Sequence, residues 1–251
     1  MTKILMHGCN GVMGQVITKI VEETDDAVMA AGVDRQDDGH NDYPVYENLA
    51  DCKEEADVII DFSAAPAVDS LLDYAAKKQI PVVLCTTGLS EEQLGKVEEA
   101  SKETAILRSA NMSLGVNTLF KLLKSMTKLL ADAGFDIDIV EKHHRRKLDA
   151  PSGTALALAE AVNEPLDNEY EFVFDRSQRR EQRPKKEIGI SAVRGGTIVG
   201  EHEVIFAGQD EVIELKHTAY SRAVFAKGAV SAALYLAGKP AGMYDMSDVI
   251  G

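Results

Sequence analysis

A short apolar run at residues 3–7 ends in the turn Gly8-Cys9-Asn10-Gly11-Val12-Met13-Gly14, and an amphipathic stretch, residues 12–23, begins inside that turn. The order strand, glycine-rich turn, helix admits few folds. Glycines let the backbone turn tightly and approach a bound anion, and the unpaired N–H groups at the helix start favour negative charge. In the helix, Val12, Val16, Ile17, Ile20 and Val21 return at helical spacing, so one face is expected to pack on a sheet.

The same rhythm continues. Extended runs are expected at residues 27–34, 57–62, 80–85 and 105–107, with helices after Pro66 and from Ser90, where Ser90 and Gln93 make a capping-box pair. Such alternation predicts βαβ units around a parallel sheet. A long helical pattern at 114–133 leads into a strand at 136–141, where the domain changes. Beyond it come a helix starting near Pro151, a basic stretch at 176–186 expected to be a solvated loop without a role, and extended runs at 188–193, 197–207 and 211–218. Strand-like runs without intervening helices predict an antiparallel or mixed sheet covered on one face. A last helix, 223–237, stops at Gly238-Lys239-Pro240. The expected fold is α/β. A Rossmann dinucleotide-binding domain, residues 1–111 completed by the C-terminal helical segment 219–251, carries an inserted α+β domain with a mixed sheet, residues 112–218.

Composition narrows the function. The net charge of -14, from 27 Lys and Arg against 41 Asp and Glu, repels phosphate backbones and anionic membranes, so no nucleic-acid or membrane partner is expected. The three cysteines (Cys9, Cys52, Cys85) form no CxxC pair, which suggests neither a disulfide framework nor a metal site. With no signal-like start and no apolar run of membrane-spanning length, a cytoplasmic location is expected.

Asp34 closes the second strand at the distance where an acid accepts ribose hydroxyls, and Arg35 beside it suits a 2′-phosphate. The pair predicts use of NADH, NADPH or both. A glycine turn alone also serves tight packing; the strand–turn–helix context with Asp34 favours the dinucleotide.

The richest segment is Glu141-Lys142-His143-His144-Arg145-Arg146-Lys147-Leu148-Asp149-Ala150-Pro151-Ser152-Gly153-Thr154-Ala155. In an extended chain His143 and His144 point to opposite faces, so one can address a reacting atom while the other binds or orients. Pro151-Ser152-Gly153-Thr154 opens a helix whose free N–H groups suit a carboxylate, and with His144 and Lys147 they would neutralise a small dianion. A basic surface turn followed by a capped helix is the alternative account.

The run from His143-His144 through Lys147 and Asp149 to Ala155 resembles the signature of the 4-hydroxy-tetrahydrodipicolinate reductase family, also called dihydrodipicolinate reductases. The resemblance extends over the whole chain, including residues 8–14, Cys85-Thr86-Thr87-Gly88, Ser109-Ala110-Asn111-Met112, and residues 194–202 and 225–251. Cys85 stands where the family usually has Gly, and Met112 where it often has Phe. The resemblance implies that His143 donates or accepts a proton, that Lys147 donates one, and that His144, Gly153 and Thr154 hold a small dicarboxylate substrate. It implies that Gly8, Cys9, Asn10, Gly11, Val12, Met13, Asp34, Arg35, Cys85, Thr86, Thr87, Ser109, Ala110, Asn111 and Met112 line the cofactor. A role in lysine and diaminopimelate biosynthesis, a homotetramer built through the inserted domain, and domain closure near Asn111 and Thr218 belong to the same expectation.

Two other functions compete. Another amino-acid or oxo-acid dehydrogenase would share the Rossmann half without needing the double-histidine segment, and a non-catalytic nucleotide sensor would not need His143 and Lys147. His7 and Met126 are expected to be structural.

Overall fold

The computed structural model describes residues 1–251. In chain order the elements are β1 (Thr2–His7), α1 (Val12–Glu22), β2 (Ala27–Val33), β3 (Val45–Tyr46), β4 (Val58–Asp61), α2 (Ala65–Lys78), β5 (Val82–Leu84), α3 (Glu91–Ala100), β6 (Ala105–Leu107), α4 (Leu114–Asp132), β7 (Asp136–His143), α5 (Gly153–Asn163), β8 (Glu171–Phe174), β9 (Glu187–Arg194), β10 (Gly200–Ala207), β11 (Val212–Ala219), α6 (Ala223–Leu236), β12 (Gly242–Tyr244) and α7 (Met246–Ile250). They form two compact units, Met1–Leu114 with Arg222–Gly251, and Gly115–Ser221.

In the first unit seven parallel strands run in the order β3-β2-β1-β4-β5-β6-β12. A parallel sheet is covered on both faces, so its strands are apolar throughout rather than alternating. Ile4, Leu5 and Met6 of β1 and Val58, Ile59 and Ile60 of β4 are accordingly all fully buried. Alternate residues serve opposite cores. Ile4, Met6 and Ile60 pack with Ile17 of α1 and Ala229 of α6, while Leu5, Ile59 and Leu84 pack with Leu71 of α2 and Val97 of α3. The Ser90–Gln93 capping box forms as expected. The strands β3 and β12 are too short to leave a period in the sequence, and they were not foreseen.

The second unit is a five-stranded mixed sheet, β11-β10-β7-β9-β8, in which β10 runs antiparallel to its neighbours and β7, β9 and β8 are parallel. One face carries Ile137, Ile139, Ile188, Ile190, Val204 and Phe206 against Leu123 of α4 and Leu158 of α5. The basic stretch 176–186 departs from expectation. Arg176 and Arg179 both meet the buried carboxylate of Glu187. Arg183 reaches Asp138 at 2.5 Å and the Ile137 carbonyl at 2.6 Å, strapping the stretch onto the other face of the sheet. A buried carboxylate needs partners, and these arginines supply them.

Candidate active site

In the first unit the turn after β1 is held by two glycines without which it cannot close. Gly8 sits at φ +87°, and a Cβ there would lie 2.6 Å from the Phe62 carbonyl oxygen; one on Gly14 would lie 2.3 Å from that of Gly8. The helix α1 starts at Gly11 with no side-chain cap, so its first N–H groups face outward for an anion. Asp34 follows β2. Its Oδ2 accepts the Asn10 N–H and its Oδ1 the Arg35 N–H, each at 2.8 Å, which leaves a lone pair on each oxygen for ribose hydroxyls. A cavity of about 1180 Å³ is lined by Gly8, Asn10, Gly11, Asp34 and Arg35, with Ser63 also on its wall. A glycine cradle, an uncapped helix start and a carboxylate at the strand end fit a dinucleotide.

His7 and Asp61 lie under this turn, His7 Nδ1 being 2.8 Å from Asp61 Oδ1. Burial raises the Asp61 carboxyl, but His7, Ser63 and Thr86 outweigh it and hold the group below the usual carboxylate range. Ser63 Oγ donates to the same oxygen at 2.6 Å and lies 3.5 Å from Thr86 Oγ1, so the pair ties together the loops after β4 and β5. Burial pushes the Cys9 thiol up to about 12 and raises that of Cys85 well above its ordinary value, leaving both neutral.

In the second unit the apolar face of the sheet turns ionic at one end. Inward positions of β7 read Ile137, Ile139, Glu141, His143, and all four are buried. His143 Nδ1 is 2.6 Å from Glu141 Oε2. Arg194, at the end of β9, forks onto the same carboxylate at 2.7 and 2.6 Å and donates to the Asp149 carbonyl at 2.7 Å. The Ser152 N–H reaches Glu141 Oε1 at 3.0 Å. Burial raises the Glu141 carboxyl, yet Arg194, His143 and Ser152 together hold it below its ordinary range.

Ser152 caps α5, its Oγ accepting from the Ala155 N–H at 3.2 Å while lying 3.0 Å from His202 Nε2. The ring of His202 stands edge-on to that of His143 with centroids 5.1 Å apart, and burial pushes His202 down to about 4. Burial also lowers His143, with Glu141 opposing the shift. Lys147 Nζ pairs with Asp149 Oδ1 at 2.8 Å. Gly153, at the first turn of α5, is exposed and Thr154 half-buried.

Residues 2–112 match the family described as dihydrodipicolinate reductase, N-terminus, and residues 115–250 match its C-terminus counterpart. The chain belongs to the dihydrodipicolinate reductase family. It is 55% identical over 250 residues to a 4-hydroxy-tetrahydrodipicolinate reductase of Caldanaerobacter subterraneus subsp. tengcongensis, covering 100% of this chain and 98% of that one. It is 49% identical to one of Clostridium novyi, over 100% and 98% of the two chains. Among solved structures, a dipicolinate-bound dihydrodipicolinate reductase from Paenisporosarcina sp. TG-14 shares the fold, with TM-score 0.78 at 23% identity over 98% of this chain and 97% of that one.

Within this reductase the expected residues divide. Gly8, Asn10, Gly11, Asp34 and Arg35 gather around one cavity. Cys9, Met13 and Met112 instead send their side chains into the core, and Val12 is exposed. Cys85, Thr86 and Thr87 form the loop after β5; Ser109, Ala110, Asn111 and Met112 follow β6, at the same carboxyl edge of the sheet. His144 leaves the strand and Lys147 sits in the turn before α5. Glu141, Arg194 and His202 went unassigned, although the inward parity of β7 marks Glu141 as a buried carboxylate in need of a cation.

Proposed function

We infer that the chain reduces 4-hydroxy-tetrahydrodipicolinate to tetrahydrodipicolinate with loss of water, using NADH or NADPH, in lysine and diaminopimelate biosynthesis. The observation that carries this is the end of β7, where a buried imidazole, His143, is fixed beside a carboxylate and the capped start of α5. Gly8, Cys9, Asn10, Gly11, Val12 and Met13 would cradle the pyrophosphate, largely through backbone, and Asp34 and Arg35 the ribose. Loops 85–87 and 109–112 would border the nicotinamide half. The bound coenzyme supplies hydride.

The chain's own groups do the rest. His144 and the N–H groups at Gly153 and Thr154 hold the carboxylates of a small dianion, aided by the helix dipole and by Lys147. His143 delivers the proton that completes reduction, with Lys147 as a second donor, a contribution of about 10²–10⁴-fold. The proposed organisation assigns residues 1–111 and 219–251 to the dinucleotide and 112–218 to substrate and assembly.

The test is an assay with freshly generated 4-hydroxy-tetrahydrodipicolinate that follows oxidation of NADH and NADPH separately. Substrate-dependent oxidation is expected with both, and more readily with NADH, because Asp34 repels a 2′-phosphate. No oxidation with either would overturn the function, and an absolute preference would overturn the shared role of Asp34 and Arg35.

A further inference from the structure

Glu141 is fully buried, and its two oxygens accept four hydrogen bonds: one from His143, two from Arg194 and one from the Ser152 N–H. An ionised carboxylate can only accept, so His143 must present its Nδ1 hydrogen to Glu141, which leaves Nε2 as the exchangeable nitrogen. Nε2 lies over Gly200, where even a Cβ would come within 3.1 Å of it. The same carboxylate holds the residue that caps α5. One side chain thus sets both the tautomer of the imidazole and its place relative to the helix start.

We propose that Glu141 is a positioning residue for proton transfer in this reductase, directing Nε2 of His143 at the substrate while anchoring the start of α5, and that Arg194 clamps it in place. The inference rests on the reading of His143 as proton donor. In the step, Nε2–H of the imidazolium gives its proton to the substrate atom that gains electron density as hydride adds. The N–H electron pair stays on Nε2, and solvent restores the proton.

The groups facing His143 are Glu141 on its own strand, Arg194 from β9, His202 from β10, and Lys147 with its partner Asp149 from the loop before α5. Of these, Glu141 alone hydrogen-bonds the ring with a carboxylate, the charge of Asp149 being paired with Lys147. Removing the Glu141 charge takes away the one anion in contact with the imidazolium, which is then disfavoured. An acid works while protonated, so the fall in rate on the alkaline side must move to lower pH.

The experiment compares wild type with Glu141→Gln and with Glu141→Gln/Arg194→Gln, which removes both buried charges together in case the single variant misfolds around an unpaired guanidinium. In both, kcat is expected to fall about 10- to 100-fold, with substrate KM within about 3-fold and NADH affinity unchanged. The alkaline limb of the kcat profile should shift downward, and ¹⁵N imidazole shifts should show His143 losing its Nδ1–H preference. A wild-type limb and tautomer in both variants would overturn the inference. Were His143→Ala to keep full kcat, the function's proton donor would be wrong instead; an inactive His143→Ala beside unaltered Glu141 variants would sink the positioning role alone.

Discussion

On β7 a two-residue repeat does two jobs: Ile137 and Ile139 fill the core, and Glu141 and His143, at the same inward parity, form the buried ionic pair to which the chemistry is assigned in the proposal. Replacing His143 by Ala should lower kcat about 10²–10⁴-fold without weakening NADH, since the imidazole lies in the second unit, to which substrate binding is proposed, and the glycine turn lies in the first. Steady-state kinetics with a fluorescence titration of NADH checks this. Lys147→Ala removes a cation near a dianion, so kcat should fall and KM rise together; an unaffected KM would argue against substrate contact. The buried histidines also set an acid limit. His202 is pushed from 6.5 to about 4, and His143 and His217 are lowered too, by burial. A histidine with a depressed folded value stabilises the fold above its unfolded value and loses that contribution as pH falls. For His202 the window runs from about 6.5 down to about 4, with on the order of 3 kcal/mol at stake. Thermal melts across that window should fall steeply in the wild type and less so in His202→Asn.

Among the elements, helix spacing and caps were readable because they are local. The apolar stripe of α1, the Ser90–Gln93 box and the start of α5 near Pro151 all depend on residues within a turn or two of one another. The close approach of α6 was not readable. Gly228 lies in that helix against the carbonyl of Met112, and a Cβ would sit 1.6 Å from that oxygen. Alanine would gain about 1 kcal/mol of helix propensity there, but the clash is with backbone and cannot be relieved by a rotamer. Gly228→Ala should therefore lower the melting temperature of the first unit, and an unchanged or higher value would contradict that packing. The arginine strap of residues 176–186 escaped prediction for a related reason: its order comes from Glu187 and Asp138 on the sheet, not from its own pattern.

For the molecule as a whole, no helix is long and apolar enough to cross a membrane. The homotetrameric assembly is proposed for the second unit, whose sheet face opposite α4 and α5 leaves Val193 and Val212 46% and 55% exposed. Light scattering at micromolar protein should return four times the chain mass; a monomer would remove the assembly role assigned to this unit. Hydride transfer also requires coenzyme and substrate to meet, so a smaller radius of gyration is expected when both are bound, and equal radii would count against closure.

From the chain alone one reads the glycine turn, the alternating elements, the double-histidine segment and the family they resemble, because these are short-range patterns. The Arg194–Glu141–His143 network, the His7–Asp61 pair under the turn and the pairing of β12 with β6 emerged only on folding. Their partners lie about fifty or more residues apart in sequence, or in the case of His143 and Glu141 two apart in a strand whose burial the sheet imposes. Local sequence encodes which atoms can hydrogen-bond; which of them are cut off from water, and so must bond to one another, is settled by what packs over them.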